Sequence, residues 1–475
     1  MLIGRKEEAE LLKKLAAQTD RSSFVAIYGR RRVGKTFLVR SVFEQNFTFY
    51  MTGLANTKAG KQLTNFHAAL VRYFPKYEEK TPATDWFSAF IQLEYALESS
   101  PAAKKVVFLD EMPWMDSRNS GFVSALEHFW NSWASARQDV LLIVCGSAAS
   151  WMMNNLINNH GGLHNRVTHH LPIEPFTLAE CEQFFRSRSA TFSRYQLLQL
   201  YMVMGGIPFY LDMVDTGQSA SQNINRLCFT PKGNLRREFD NLYPSLFKNA
   251  DKHVSIIEAL AQKSKGMERD ELIRSSKLQN SGNTTRLLKE LEESGFIRRY
   301  NFLGKNLRNS MYQLTDFYSL FYLKFIKPNV ALDENFWLNS LDNPDIRAWS
   351  GYAIEQVCLA HLPAIKKALG ISGIQTSSAA WSGSSGSQKA QIDLVIDRRD
   401  QAINLCEAKF SIHPFTIDKK YAEELRTKIG VFKDVTQTQK AVFLTLITTL
   451  GLTPNDYAQT IVQNALTMDV LFEAA

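Results

Sequence analysis

Gly29-Arg30-Arg31-Arg32-Val33-Gly34-Lys35-Thr36 decides how the rest of the chain is read. It fits the phosphate-binding pattern GxxxxGK[ST]. Before it, Phe24-Val25-Ala26-Ile27-Tyr28 is a short, β-prone apolar run; after it, Thr36-Phe37-Leu38-Val39-Arg40 begins a helix. Strand, glycine loop and helix, in that order, are what phosphate binding needs. The glycines let the backbone curl so that several N–H groups face one anion. The helix N-terminus adds partial positive charge. Residues 29–36 are therefore expected to cradle ATP, with Lys35 on the β- and γ-phosphates and the Thr36 hydroxyl on Mg²⁺.

Working outward, Val106-Val107-Phe108-Leu109-Asp110-Glu111 is the acidic companion motif, Walker B. A buried strand lifts two carboxylates to its C-terminal edge, where sheets of this kind hold ligands. Asp110 is expected on Mg²⁺ and Glu111 on the attacking water, as a general base or positioning group. Asp139–Gly146 reads as another buried strand, ending at Ser147, either a contact to the γ-phosphate or its water, or a simple turn serine. A fifth strand fits residues 168–173. Arg166 is a candidate arginine finger, with a plain surface arginine as the other reading. Phe47–Met51 supplies a strand between the two Walker motifs, which places the core in the branch of P-loop enzymes with an inserted strand and a catalytic glutamate. Residues 172–211 look like a helical lid, with Thr177 and Glu180 at capping-box positions. Gly205-Gly206-Ile207-Pro208 interrupts it, either as a helix break or as a turn at the adenine, with Pro208 on the nucleotide.

Ile3-Gly4-Arg5, residues 29–36, Leu109-Asp110-Glu111, Gly146-Ser147, Asn165-Arg166, Glu174-Pro175-Phe176 and Gly205-Gly206-Ile207-Pro208 follow one another in one order. Over roughly residues 1–245 that order resembles the archaeal-type ATPases of prokaryotes, relatives of the AAA+ and STAND NTPases. The resemblance implies an ATP-binding core, a helical lid and a winged helix, with Arg166 near the sensor or finger position.

Residues 251–327 read as three helices and a wing. They hold 14 basic against 9 acidic residues, a balance worth reading for nucleic acid. Arg286, Lys289, Arg298, Lys305 and Arg308 are candidate phosphate contacts. Glu290, Glu292 and Glu293, on the candidate recognition helix 283–294, argue for a packing role instead.

Farther on, Gly351–Val357 forms a helix with one acid, Glu355. A Ser/Gly stretch at 376–387 reads as flexible and hairpin-like. Then Gln391-Ile392-Asp393-Leu394-Val395 and Ile403-Asn404-Leu405-Cys406-Glu407-Ala408-Lys409 form a hairpin. Glu407 and Lys409 share one face of a strand, and the partner strand can bring Asp393 beside them. Two carboxylates and an ammonium among buried strands are costly as mere packing. They suit phosphodiester hydrolysis with Mg²⁺, or Mn²⁺, on Asp393 and Glu407, with Glu355 as an added ligand and Lys409 on the water or the phosphate. Asp393 with Glu407-Ala408-Lys409 resembles the PD-(D/E)XK nuclease superfamily over roughly residues 335–475, and also the domain of unknown function that commonly ends archaeal-type ATPases. Gln391 stands where relatives often carry an acid.

The chain's 475 residues are long enough for several cores, and the expected fold class is α/β. The expected parts are a P-loop ATPase core with a parallel sheet (1–174), a helical lid (175–245), a winged-helix middle domain (246–328) and an α/β restriction-endonuclease-like domain (329–475). A net charge of +8 permits an anionic partner without demanding one. Five scattered cysteines with no CxxC pair speak against a zinc site or a disulfide framework. No apolar run approaches the ~20 residues of a membrane span, and the first residues lack a signal-peptide core, so a cytoplasmic protein is expected. The expected activity is an ATP-hydrolysing switch or motor coupled to a nuclease-like, metal-dependent DNA-processing domain, with nucleic acid (DNA ahead of RNA) as partner and a homo-oligomer left open. The alternative is a regulatory ATPase whose C-terminal domain is inactive and only binds nucleic acid or a protein.

Overall fold

The computed structural model describes the chain apart from Met1, Gln45, Arg118, residues 159–161, His164, Lys248, residues 301–309, residues 330–332 and Ala475. It divides into two compact units, Met1–Pro175 and Phe176–Ala475. No described helix is long and apolar enough to cross a membrane.

In the first unit five strands form one sheet: β1 (Ser23–Tyr28), β2 (Phe49–Thr52), β3 (Lys105–Asp110), β4 (Val140–Gly146) and β5 (His169–Pro172). Every neighbouring pair is parallel, in the order β2-β3-β4-β1-β5. β4 therefore separates the strand before the glycine loop from the strand that carries Asp110. β3 and β4 are buried along their whole length, which is why both read as unbroken apolar runs rather than alternating ones. Helices Ala59–Tyr73 and Trp86–Glu98 pack an aromatic core of Phe66, Trp86, Phe90, Phe122 and Phe129 beside the sheet. Register aligns Tyr28 with Gly146 and Leu109 with Val144. The C-terminal ends of β1, β3 and β4 thus share one edge.

The second unit begins with helices Leu178–Arg186 and Arg194–Met204. Thr177 and Glu180 form the expected capping box. Gly205 and Gly206, at φ 63° and 68°, end the second helix. A Cβ on Gly206 would stand 2.1 Å from the Phe176 carbonyl oxygen, so only glycine fits there. Helices Asp251–Ala261, Arg269–Ser275 and Gly282–Glu293 follow, with strands β6 (Met267–Glu268), β7 (Ile297–Tyr300) and β8 (Met311–Leu314) in an antiparallel sheet ordered β6-β8-β7. Lys305 and Arg308, expected on the wing, lie outside the described residues.

The last sheet has the order β13-β12-β11-β10-β9. Its strands are β9 (Thr376–Ser385), β10 (Gln388–Arg398), β11 (Ala402–Lys409), β12 (Ala441–Thr448) and β13 (Asn464–Thr467). β9, β10 and β11 are antiparallel, while β11, β12 and β13 are parallel, with helix Lys419–Thr436 lying between β11 and β12 in the chain. The Ser/Gly stretch expected to be flexible is instead β9, paired with β10 along nearly all its length. Trp381, buried against Phe432 at 4.9 Å between ring centres, anchors it. Ladder pairing and one large apolar anchor override the weak strand preference of serine and glycine.

Candidate functional sites

The glycine loop leaves β1 at Gly29, whose φ of 144° and close approach to Ile173 exclude a side chain: a Cβ would lie 2.2 Å from the Ile173 carbonyl oxygen. Gly34, at φ 93°, turns the chain into helix Lys35–Phe43. Val33 and Arg30 are buried, and Arg31 and Arg32 are half-buried. Lys35 is buried, and its Nζ donates to the carbonyls of Gly29 at 2.9 Å and Arg30 at 2.7 Å. Burial pushes its ammonium below the ordinary lysine value, against the pull of Cys145, Glu111 and Asp110. The charge thus rests on neutral carbonyls inside the loop that would hold an anion.

Facing it across the sheet edge, Thr36 Oγ1 donates to Asp110, 2.9 Å from Oδ2 and 3.1 Å from Oδ1. Asp110 is buried and its pKa raised, first by burial and then by Glu111. A hydroxyl beside a crowded, desolvated carboxylate is a donor set that fits a hard divalent cation. Glu111 has left-handed backbone, φ 48°, an uncommon conformation for a residue with a side chain. Its Oε1 accepts from the Ser147 hydroxyl at 2.7 Å and its Oε2 from the Ser147 N–H at 3.3 Å. Of the roles left open for Ser147, the observed contact is a third one: it grips Glu111 from the end of β4. Arg166 is exposed, after Asn165 at φ 56°. Pro208 opens the short helix Pro208–Leu211 in the second unit. The sequence reading passed over Cys145, which is fully buried in β4 close enough to Asp110 and Lys35 to shift both.

The second constellation is assembled within the second unit. The β10–β11 ladder runs from Asp397↔Ile403 to Leu394↔Cys406. Asp393 and Glu407 come immediately beyond its last pair. On the other side, the β9–β10 register shifts between Ile392 and Val395. Asp393 therefore sits in a bulge, a device that re-aims a side chain. Glu407 is buried, and its Oε1 accepts from Lys428 Nζ at 2.8 Å. Burial raises its pKa, which Lys428 opposes and Asp393 reinforces. Glu355, on helix Pro344–Ala360, is pushed up to about 8 by burial and by the charges of Asp393 and Glu407, against Lys265 and Lys409. Lys409 Nζ lies 4.6 Å from the centre of the Tyr421 ring. The Tyr421 hydroxyl is buried, and its pKa is raised first by burial and then by Glu407, Glu424 and Asp393.

Among the described residues no group of three or more His, Cys, Asp or Glu is placed to hold a metal ion. Glu355, Asp393 and Glu407 are thus close enough to repel one another without forming a ready three-ligand set. Two crowded carboxylates still fit a cation that keeps several waters. Lys428 was missed in the sequence, although it shares a helix face with Leu425 and Phe432, both buried.

The candidate phosphate contacts of the middle region divide. Arg286 and Lys289 are exposed and pair with Glu290 at 3.7 Å and Glu293 at 3.5 Å. Arg298 departs from expectation. It turns inward, with Nε donating to Gln313 Oε1 at 2.8 Å, and burial lowers its pKa.

Residues 2–214 match the family model described as an ATPase domain predominantly from Archaea. They therefore carry an ATPase domain of the archaeal type. An uncharacterized protein of Methanocaldococcus jannaschii is 25% identical over 378 residues, 77% of this chain and 78% of its own length. Among solved structures, the Walker-type ATPase of Pyrococcus abyssi is similar at a TM-score of 0.49 and 16% identity, over 68% of this chain and 96% of that one. The ORC2 protein of Aeropyrum pernix is similar at 0.40 and 14%, over 72% and 96%.

Proposed function

We propose that the chain is an ATP-hydrolysing switch or motor coupled to a nuclease-like, metal-dependent DNA-processing module at its C-terminal end. The observation that carries the reading is the meeting at one sheet edge of a lysine resting on loop carbonyls, a hydroxyl–carboxylate pair and a glutamate held by a serine. ATP would seat its phosphates in residues 29–36, where Lys35 exchanges two carbonyls for phosphate oxygens. Thr36 and Asp110 would hold Mg²⁺, which when bound neutralises charge on the β- and γ-phosphates. Glu111, aimed by Ser147, would orient the attacking water and take its proton. Arg166, exposed, would neutralise charge on the transferred group.

At the other site Asp393 and Glu407 would hold Mg²⁺ or Mn²⁺, which supplies Lewis acidity toward a phosphodiester. Lys409 would orient the water or stabilise the phosphate. The bulge at Asp393 supports this reading, since bulges often re-aim side chains beside active sites. The order helix, strand, helix, helix, hairpin over 251–314 supports a winged helix between the lid and this module. The Glu407–Lys428 ion pair favours a second reading, in which the C-terminal module binds nucleic acid or protein without cleaving.

ATP hydrolysis and cleavage of single- and double-stranded DNA and RNA, followed in one preparation, test both halves. Lys35→Ala should lose ATP binding and keep its fold; normal ATP affinity in that variant sinks the first half. Lys409→Ala should lose cleavage and keep ATP hydrolysis; cleavage equal to wild type sinks the second.

A further inference from the structure

The carboxylate site has a wall that does not come from the C-terminal module. Residues 262–266, the turn between helix Asp251–Ala261 and β6, bring Lys265 to it. Lys265 Nζ donates to Gln391 Oε1. Gln391 Nε2 in turn donates to Asp393 Oδ1 at 3.2 Å. The turn is pinned along its backbone. Gln313 donates to the Ser264 carbonyl at 2.6 Å, the Tyr300 hydroxyl to the Lys265 carbonyl at 2.7 Å, and Gly266 N–H to the Lys263 carbonyl at 2.8 Å. Gly266 has φ 76°, and a Cβ there would strike the Tyr312 carbonyl oxygen at 2.3 Å. A surface lysine ordinarily needs no such support, because its long chain finds water wherever it points.

Lys265 is exposed, and among the described residues its ammonium forms no ion pair. It is held over the acidic site by a neutral amide. A cation whose only job was to balance Glu355, Asp393 and Glu407 would gain most by touching one of them. An exposed ammonium linked to Asp393 through Gln391, and among the described residues bonded to that amide alone, is instead able to take an anion by giving up one exposed hydrogen bond.

We propose that Lys265, carried on the pinned turn of the middle module, contacts a phosphate of nucleic acid bound at the Asp393–Glu407 site, so that the site is completed by two modules. The inference rests on the nucleic-acid reading of that site and adds the residue that receives the backbone. It gives the middle module a task other than inserting a recognition helix into a groove.

The test is binding of labelled single-stranded and duplex DNA to the full chain in Ca²⁺, over a series of salt concentrations. Lys265→Gln is expected to weaken binding by about three- to tenfold and to flatten the log–log salt slope by about 0.7–0.9, the share of one phosphate contact. Lys265→Arg should restore both. Thermal stabilisation by Mn²⁺ should persist in Lys265→Gln, which shows that the carboxylates are undisturbed. Binding by Lys265→Gln equal to or tighter than wild type, with an unchanged slope, overturns the proposal and makes Lys265 an obstruction or a bystander. If wild type itself shows neither Mn²⁺ stabilisation nor Asp393-dependent DNA binding, the nucleic-acid reading of the site falls, and the Lys265 contact falls with it.

Discussion

Asp110-Glu111 and Glu407-Ala408-Lys409 both end buried strands, and each has a lysine close by, yet the two places treat their charges in opposite ways. At the first, Lys35 rests on two backbone carbonyls and Glu111 on a serine. Its charged groups are held by neutral partners that an incoming ligand can replace. At the second, Glu407 is tied directly to Lys428, and Glu355 is crowded by two other carboxylates. The first arrangement is poised for its ligand. The second is charge-frustrated without one, and its ion pair must loosen before Glu407 can offer both oxygens. The difference teaches that sites with similar residue types need different work from their ligands. On the proposed reading ATP would meet a cradle, whereas a cation at the C-terminal sheet would have to relieve repulsion and compete with an ammonium.

The contrast is broken most severely at Glu111, the carboxylate proposed to activate water. Glu111→Gln should lower ATP turnover by about 10²–10⁴ with ATP affinity kept; steady-state hydrolysis beside equilibrium nucleotide binding checks this. Next in size is Lys428→Met. It strands Glu407 in the interior and should cost about 3 kcal/mol in chemical denaturation without metal, since breaking a buried pair from one side leaves an uncompensated charge. Mn²⁺ should recover part of that loss.

Glu355 sharpens the comparison through pH. Its folded pKa, about 8, lies above the ordinary carboxylate value of 4.5. The protonated form is therefore favoured on folding, and its contribution is complete below the unfolded value and lost as pH rises through about 8. Metal-free Glu355→Gln should accordingly gain stability over wild type as pH rises from 5 to 9, by on the order of 2–3 kcal/mol at the top. A flat difference across that range would show that Glu355 is not crowded. The smallest effect belongs to Ser147→Ala. Loss of one hydrogen bond to a charged group, worth about 1.5 kcal/mol, should slow turnover roughly tenfold without changing ATP affinity.

Legibility in the sequence follows the range of the interaction. Strands β1 to β4 of the first unit could be read because each is mainly an apolar run, and residues 29–36 because strand, loop and helix are contiguous. Asp393, Glu407 and Lys409 stood out because a short turn joins their strands. Ser147 was visible as a residue, but not its partner, because the contact to Glu111 depends on β4 lying beside β3. The strand at 376–385 was hidden by its serines and glycines, with Trp381 as the one signal of burial. Lys265 had no local mark at all, since its partner Gln391 is 126 positions away in the chain. Arg298 looked like a phosphate contact by charge alone. Gln313, on the neighbouring strand, turns it inward.

The most direct test of the account as a whole is DNA cleavage in Mn²⁺, with and without ATP, by wild type, Lys35→Ala and Asp393→Ala. The account predicts cleavage by wild type that changes with ATP, cleavage by Lys35→Ala that no longer responds to ATP, and none by Asp393→Ala although that variant still hydrolyses ATP. Clear ATP hydrolysis with no cleavage by wild type under any condition, or cleavage indifferent both to ATP and to Asp393→Ala, would contradict it.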